Sequence, residues 1–413
     1  MRKQLIWIAA FFSIAFAGDR ILGYFLQKTT DNSQFRYSRL YNSNEDADIL
    51  FVGNSRGLTF FQPEAERLTQ QKTMNLSYNG MPADLAKCLV MDYLDHHKAP
   101  KVMIVDVTLC DRENDILKSG FNMYTPKSLR LDTLLRGIQT KNPKTGTVED
   151  AYAGTKVVVG GNLSHLYRHN SEVFQRVLYH RNKTDEDWLI DRVIGEKAAK
   201  DTAMSSYQVR MFLNMADHFK EMVDYAKSKG VDVKLVINPY FPAFAETSAI
   251  KDSFLLPLKN HIEALTGLPI SDFSTALTER DEIGDYQHAN KKGSIHYMNI
   301  LLEKGIFTAN NATIGESFTP KNMENVKPSS VFLSENASPM QHRKPEETAE
   351  LIDVKPEIKS EKDPQIKADA REIDPSVSAP NLSVSTHFVA KKIRKKAYQK
   401  SDYGFSVDTM FSN

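Results

Sequence analysis

A short apolar run that ends in a glycine-bounded turn constrains the fold of this chain more than any other stretch. Ile49–Val52 is apolar and rich in β-forming residues, which predicts a buried parallel strand. Residues 53–57 (Gly-Asn-Ser-Arg-Gly) follow it, and the chain from Leu58 onward has a helical pattern. This order places the Ser55 hydroxyl at the carboxyl edge of a sheet, where open α/β folds bind ligands. The alternative is that Ser55 only caps the following helix.

Strands and helices alternate along the chain after this turn. The pattern predicts an α/β fold with a doubly wound, central parallel sheet. The further predicted strands are Thr73–Gly80, Lys101–Leu109, Val231–Ile237 and Pro269–Phe273. The predicted helices are Gln62–Gln71, Asp84–His96, Ser206–Gly230, Asp252–Thr266 and Ser294–Lys304. Residues 117–200 have a weaker pattern, and we interpret them as an insertion after the third strand that covers the active edge.

The amino terminus predicts export. Arg2 and Lys3 form a basic start, and Leu5–Ala17 is an uninterrupted apolar run. Residues 15–17 (Ala-Phe-Ala) resemble a signal-peptide cleavage site, whereas the apolar character of Ile21–Leu26 favours an uncleaved anchor. The basic start would stay in the cytoplasm, so the rest of the chain would be periplasmic or on the cell surface. We therefore interpret residues 1–27 as a signal anchor or signal peptide and residues 28–45 as a polar tether.

Composition separates a folded domain from a tail. The domain is predicted over residues 46–315, because from about Glu316 the chain becomes rich in Pro, Ser, Glu and Lys and loses its period. Residues 316–413 are therefore predicted to be disordered. Their basic cluster, Lys391–Lys396, is either a solvated charge run or a site for a protein partner.

Charge and motif content exclude several functional classes. The formal charge of the 413 residues is +1, so no global field favours nucleic acid. Two cysteines cannot form a disulfide scaffold or a four-cysteine zinc site, and we interpret Cys88 and Cys110 as buried thiols rather than a bridge. The sequence contains no phosphate-binding loop, dinucleotide fingerprint or convincing metal cluster, so we expect no cofactor and no metal.

A second polar constellation follows the last predicted strand. Asp285 and His288 lie three residues apart in a loop at the same edge as Ser55. A carboxylate in this position can hold the imidazole Nδ1–H, which leaves Nε2 to take a proton from a serine hydroxyl. Taken alone, Asp285 could instead cap the last helix and His288 could be a surface residue.

Together these motifs resemble the SGNH (GDSL-type) hydrolase family. The Gly53–Ser55 turn resembles its first block, in which Gly-Asp-Ser is usual. Asn79-Gly80 resembles the second block, and Asp285-x-x-His288 resembles the fifth. The resemblance extends from about residue 47 to residue 307 and implies a flavodoxin-like three-layer fold. The match of Gly53-x-Ser55-x-Gly57 to the nucleophile elbow of α/β-hydrolases is rejected, because that serine follows later strands of its sheet.

The resemblance implies roles for individual residues. Ser55 would be the nucleophile, His288 the general base and acid, and Asp285 its orienting partner. The backbone N–H groups of Ser55 and Gly80 would stabilise the oxyanion. The family's third block supplies an asparagine to the oxyanion hole, but here its glycine is absent and Asn114 is only a candidate remnant. Arg56 would pair with a substrate anion or form a surface ion pair.

These features predict a serine esterase or O-acyltransferase. The anchor, the tether and the Gly-Asn-Ser-Arg turn look like those of membrane-anchored bacterial SGNH-like proteins that acylate cell-surface polysaccharides. That resemblance implies an extracytoplasmic glycan as substrate, with an acylated glycan or an acyl-donor protein as partner. The alternative is a catalytically degenerate SGNH-fold protein that binds glycan or acts as a scaffold for a cell-surface assembly, which the incomplete third block favours.

Overall fold

Five short parallel strands form the centre of the computed structural model, which describes residues 2–43, 45–141, 148–150, 160–161, 163–183, 190–201 and 208–309. The strands in these residues are β1 (Ile49–Val52), β2 (Thr73–Asn75), β3 (Val102–Asp106), β4 (Gln139–Lys141), β5 (Val148–Asp150), β6 (Asp232–Ile237), β7 (Ile270–Asp272), β8 (Ile283–Asp285) and β9 (His288–Ala289). The strands β4 and β5, like β8 and β9, form small antiparallel pairs.

The central sheet confirms the predicted fold class. Its strand order is β2-β1-β3-β6-β7, and every neighbouring pair is parallel. Counted along the chain, this is the 2-1-3-4-5 order of flavodoxin-like folds, in which ligands bind where the order reverses at the carboxyl edge. The reversal lies beside β1, so the turn that follows Val52 is at that point of the sheet.

Helices cover both faces of this sheet. The α-helices are Arg2–Asn32, Arg36–Asn42, Gln62–Thr69, Ala83–His96, Asp115–Gly120, Leu129–Arg136, His165–Arg168, Glu172–Tyr179, Glu196–Ala199, Leu213–Ser228, Pro242–Ala245, Leu256–Thr266 and Lys291–Glu303. The helix predicted over Ser206–Gly230 begins only at Leu213, because the Phe212 N–H donates to the Cys110 carbonyl instead of to a helical partner. Ser206 itself lies outside the described residues.

Alternating side chains of the first strand fill the two halves of the core. Leu50 and Val52 belong to one buried cluster, and Ile49 and Phe51 belong to the other, as the two-residue period of a strand requires. All four side chains are almost completely buried. Both cysteines are buried free thiols, as predicted. The sheet is therefore packed on both faces, and ligand access is left to its edges.

Residues 28–45 are not a free tether. Phe35 and Tyr37 have no exposed surface, and Leu40 is buried beside them. The buried Arg36 guanidinium donates to the backbone carbonyls of Asn75 (3.1 Å) and Ser77 (3.2 Å), just after β2. The polar composition of this segment concealed its role, because the Arg36 and Tyr37 side chains are satisfied by backbone acceptors inside the fold.

The insertion is only partly a cover for the active edge. Its helices His165–Arg168 and Glu172–Tyr179 pack against the N-terminal helix, and Leu129–Arg136 packs against Ala83–His96. Residues 190–201 lie instead beside β8 and β9, where the Ile194 N–H donates to the Ile283 carbonyl at 2.8 Å. The predicted disordered tail, residues 316–413, lies outside the described residues.

The N-terminal helix, Arg2–Asn32, is long and apolar enough to be a membrane anchor or a signal sequence. Its most apolar 18-residue window has a mean hydropathy of 1.7. Within that window large side chains such as Trp7 are 76% exposed, so the protein itself does not cover them. This finding bears out the predicted character of the segment.

Candidate active site

The turn that carries Ser55, residues 53–57, is built by a close contact at each of its two glycines. A Cβ added at Gly57 would lie 2.2 Å from the Ser77 Oγ, and one at Gly53 would lie 2.7 Å from the Gly57 Cα. No side chain fits in either place, which explains the glycine at both ends of the turn. Leu58 belongs to a single 3-10 turn, Arg56–Thr59, and the α-helix starts only at Gln62. Ser55 precedes this turn and makes no side-chain cap hydrogen bond, so the capping alternative is wrong.

Ser55, His288 and Asp285 form one hydrogen-bonded chain. The His288 Nε2 lies 2.9 Å from the Ser55 Oγ, and the His288 Nδ1 lies 2.8 Å from an Asp285 oxygen. The serine is 8% exposed, and the imidazole side chain is 20% exposed. Three residues predicted from two distant motifs are thus brought together in the geometry that proton transfer from a serine hydroxyl requires.

Asp285 is held as a carboxylate by three groups. Its oxygens accept from the His288 ring, from the Gln287 N–H at 2.9 Å, and from the Arg192 guanidinium at 3.0 Å. Burial by itself would raise the pKa of Asp285, but the hydrogen bond and charge of His288, followed by the Gln287 and Arg192 contacts, lower that pKa to about 2. The carboxylate is therefore ionised at neutral pH and can fix the His288 tautomer.

Arg56 lies in a buried ion pair rather than at the surface. Its guanidinium is 2.6 Å from the Asp111 carboxylate, and both side chains are almost fully buried. It also donates to the Thr108 hydroxyl and to the Gln287 side-chain oxygen, each at 3.0 Å. Burial alone would lower the pKa of Arg56, but Tyr240 and Asp111 raise it above its ordinary value. These contacts are all internal, so Arg56 has neither of the two roles predicted from the sequence.

Gly80 and Asn114 are in contact with each other. Gly80 has φ +69°, a left-handed conformation that favours glycine. The Asn114 Nδ2 donates to the Gly80 carbonyl at 3.1 Å, and its Oδ1 accepts from the Leu117 N–H at the start of a helix. In the part of the chain that the structure describes, the second Asn114 amide hydrogen and the Ser55 and Gly80 backbone N–H groups have no hydrogen-bond acceptor.

Several supporting residues carried no signal in the sequence. Asp111, Thr108 and Arg192 are separated from the motifs by tens of residues, and single Asp, Thr and Arg residues are common. Gln287 lies inside the Asp285–His288 motif, so its position could have been noticed, but its contact with Arg56 depends on the fold. Among the described residues, no group of three or more His, Cys, Asp or Glu side chains could hold a metal ion.

Comparisons with known proteins add little to this geometry. No family model and no curated protein matches the chain. Ten solved chains match it, among them a protein from Bacteroides fragilis NCTC 9343 described as a "putative acylhydrolase". That protein is 13% identical, and the match covers 64% of this chain and 92% of the other at a TM-score of 0.32. The similarity is too weak to carry an argument about the site.

Proposed function

We propose that this protein is an SGNH-like serine esterase or O-acyltransferase. The observation that carries the proposal is the hydrogen-bonded chain Ser55–His288–Asp285 at the carboxyl edge of a flavodoxin-like sheet. In the proposed reaction, the Ser55 Oγ attacks an acyl carbonyl while its proton moves to the His288 Nε2. The tetrahedral intermediate then expels the alcohol, which takes that proton, and leaves an acyl-serine.

Three N–H groups support stabilisation of the intermediate. The backbone N–H groups of Ser55 and Gly80 lack acceptors among the described residues, and so does the second amide hydrogen of Asn114. Hydrogen-bond donors that are already in place for a developing negative charge lower the activation barrier, because they do not have to reorganise during the reaction. We assign the oxyanion to these groups, with Asn114 in the place of the asparagine that the family's third block would provide.

The second half of the reaction decides between hydrolase and transferase. Water or a sugar hydroxyl attacks the acyl-serine, and His288 takes the proton of the attacking group. The exposed apolar N-terminal helix supports an anchored protein whose domain lies outside the cytoplasm, because its basic start would remain inside. An exported glycan is therefore the acceptor, or the acylated substrate, that we propose.

The test is acyl transfer by the full-length protein in detergent. The purified chain would be incubated with 4-nitrophenyl acetate, with and without cellohexaose, and analysed by mass spectrometry. We expect an acetyl group on Ser55, then acetate in water and acetylated sugar if the enzyme is a transferase. Asn114→Ser, which keeps the helix cap, should slow formation of acetyl-Ser55 by about 10²- to 10³-fold.

The alternative is a scaffold or glycan-binding module with the same fold. The observation in its favour is that Asn114 already caps a helix and binds the Gly80 carbonyl. Under this alternative, 4-nitrophenyl acetate would leave Ser55 unmodified in folded protein. The Asn114→Ser variant would then behave like the parent.

A further inference from the structure

The first half of the N-terminal helix and its second half lie in different surroundings. Leu5 to Phe16 are exposed on all sides, whereas from Gly18 the helix begins to contact the rest of the fold. The contact is close at Gly23, where an added Cβ would lie 2.3 Å from the Cβ of His165. The helix is therefore seated in the domain by its second half, and its apolar first half projects from it.

The segment Leu163–Tyr167 is one part of the insertion that meets this helix. The Asp19 carboxylate accepts from the Ser164 hydroxyl, from the His165 N–H (2.9 Å) and from the Leu166 N–H (3.2 Å). The Arg20 guanidinium donates to the Leu163 carbonyl at 3.3 Å. The two charges that interrupt the apolar run are thus satisfied by this segment.

Helix geometry fixes the level of this contact in a bilayer. At 1.5 Å per residue, a hydrocarbon core of about 30 Å needs about 20 helical residues. Counted from Lys3, the helix leaves the core near Gly23. If Asp19 marked the water boundary, only about 15 residues would span the core, which is about 7 Å too short. The headgroup layer adds about 5–7 Å beyond the core on each side, so even with Asp19 at the core boundary this residue and the segment that binds it lie at the level of the interface.

The exposed side chains of the segment suit that position. Leu163 is 76% exposed, and Leu166 and Tyr167 are 36% and 37% exposed. On the N-terminal helix that the segment contacts, Ile21 and Phe25 are also exposed, at 58% and 60%. Tyrosine is enriched at the membrane–water interface, and exposed leucine side chains of interfacial segments are buried at the boundary between headgroups and acyl chains.

We propose that Leu163–Tyr167 is a second membrane contact, seated in the interface of the same bilayer that the N-terminal helix spans. The inference rests on the proposed anchoring and goes beyond it. It gives the domain a fixed orientation relative to the bilayer, which a flexible tether would not. It also requires the helix to be retained, since Asp19, Arg20 and Gly23 of that helix contact the segment. The partner is the phospholipid bilayer.

The test is fluorescence quenching of single labelled cysteines in the full-length protein. Both native cysteines are buried, so Leu163→Cys can be labelled with NBD without removing them. The protein would be placed in phosphatidylethanolamine–phosphatidylglycerol vesicles that contain spin-labelled lipids. Ile8→Cys reports the anchor, and Leu256→Cys, 51% exposed in the wild type, is the control on a helix that packs against Leu213–Ser228.

We expect strong quenching at positions 8 and 163, with position 163 quenched most by a shallow spin label, and no quenching at position 256. Quenching at position 8 together with a value at position 163 equal to that at 256 would overturn the second contact and leave the anchor intact. Absence of quenching at position 8 as well would overturn both the anchoring and this inference. Labelling of Ser55 by an acylating probe does not depend on either result.

Discussion

At the scale of single residues, Arg56 connects the two halves of the candidate site. It follows Ser55 directly, and its guanidinium reaches Gln287, which lies between Asp285 and His288. Asp111 and Thr108, which follow β3, bind this guanidinium, and the centre of the Tyr240 ring lies 5.1 Å from the Arg56 Cζ. The Arg56 side chain therefore connects the turn that carries Ser55 to the loop that carries His288. We expect this connection to position His288 against Ser55.

Gln287→Ala tests this connection. The variant removes the acceptor of Arg56 but keeps the Gln287 backbone N–H that binds Asp285. A hydrogen bond to a charged group contributes about 1.5–3 kcal/mol, so serine acylation is expected to slow by about 10-fold or more. The measurement is the second-order rate constant for labelling by a fluorophosphonate. Gln287→Glu, which keeps an acceptor, should retain more of the rate, and equal rates for Gln287→Ala and the parent would refute the connection.

Asp285 predicts a particular pH dependence of stability. Its pKa is about 2 in the folded protein and about 3.9 in an unfolded chain. A lowered pKa stabilises the fold above pH 4, and that contribution disappears as the pH falls towards 2. The free energy of unfolding of Asp285→Asn should therefore fall below that of the parent at pH 7, and the gap should close between pH 4 and pH 2. Urea denaturation at each pH measures it, and a gap independent of pH would contradict the assigned pKa.

The residue scale also shows what the sequence could predict. Ser55, Asp285 and His288 stand in short motifs whose chemistry is recognisable without a structure, and their side chains do meet. Whether they catalyse a reaction stays a prediction. Arg192 and Asp111 could not have been found, because their partners are 93 and 55 residues away and nothing local distinguishes them.

At the scale of elements, the loop between β1 and the following helix depends on close packing against the chain after β2. The Asn75 side chain donates to the carbonyls of Gly57 (3.0 Å) and Phe60 (2.9 Å), and Ser77 fills the space beside both glycines. Contacts between two adjacent strands thus fix the shape of the turn that carries Ser55. Because Gly57 is only two residues from Ser55, a change in this packing would also displace Ser55.

Gly57→Ala should disturb this turn. The new methyl group would lie 2.2 Å from the Ser77 Oγ and 2.8 Å from its Cβ, so backbone must move. Overpacking of this kind costs about 1–3 kcal/mol of unfolding free energy. The control is Gly195→Ala, where nothing lies within 4 Å of the added methyl group and a change within about 0.5 kcal/mol is expected. Urea midpoints compare the two, and equal midpoints would show that the turn tolerates a side chain.

The elements themselves were predicted well where a strand is apolar throughout. β1, β3 and β6 are buried apolar runs, a composition that favours a strand over other structures. The helices between them have broad apolar faces. The start of the helix at Leu213 was missed because the polar residues before it have helical propensity. The backbone there binds Cys110 instead, which is a tertiary contact that no local pattern encodes.

At the scale of the whole molecule, the domain starts earlier than the sequence indicates. Residues 33–42 pack between the N-terminal helix and the core, and Arg36 supports the chain that leads to Gly80. A polar composition predicts solvent exposure, but a segment whose buried arginine and serine side chains bond to backbone groups has the same composition. The N-terminal helix and the α/β domain are consequently connected by a folded segment.

Truncation tests that boundary. A chain that starts at residue 46 loses Phe35, Tyr37 and Leu40, which are each buried and contribute about 1.5–3 kcal/mol. Their sum is comparable with the whole stability of a domain, about 5–15 kcal/mol. The truncated chain should therefore be insoluble or lack a cooperative unfolding transition, whereas a chain that starts at residue 28 should keep one. If both chains unfold cooperatively with equal midpoints, residues 28–45 do not stabilise the domain and are a tether.

The most direct test of the central claim is fluorophosphonate labelling of the full-length protein, with the modified residue identified by peptide mass spectrometry. The account predicts one modified residue, Ser55, no labelling in Ser55→Ala, and a rate at least about 100-fold lower in His288→Ala, because the serine then lacks its general base. If folded parent protein reacts no faster than Ser55→Ala, the hydrogen-bonded chain does not activate the serine, and the scaffold alternative takes its place.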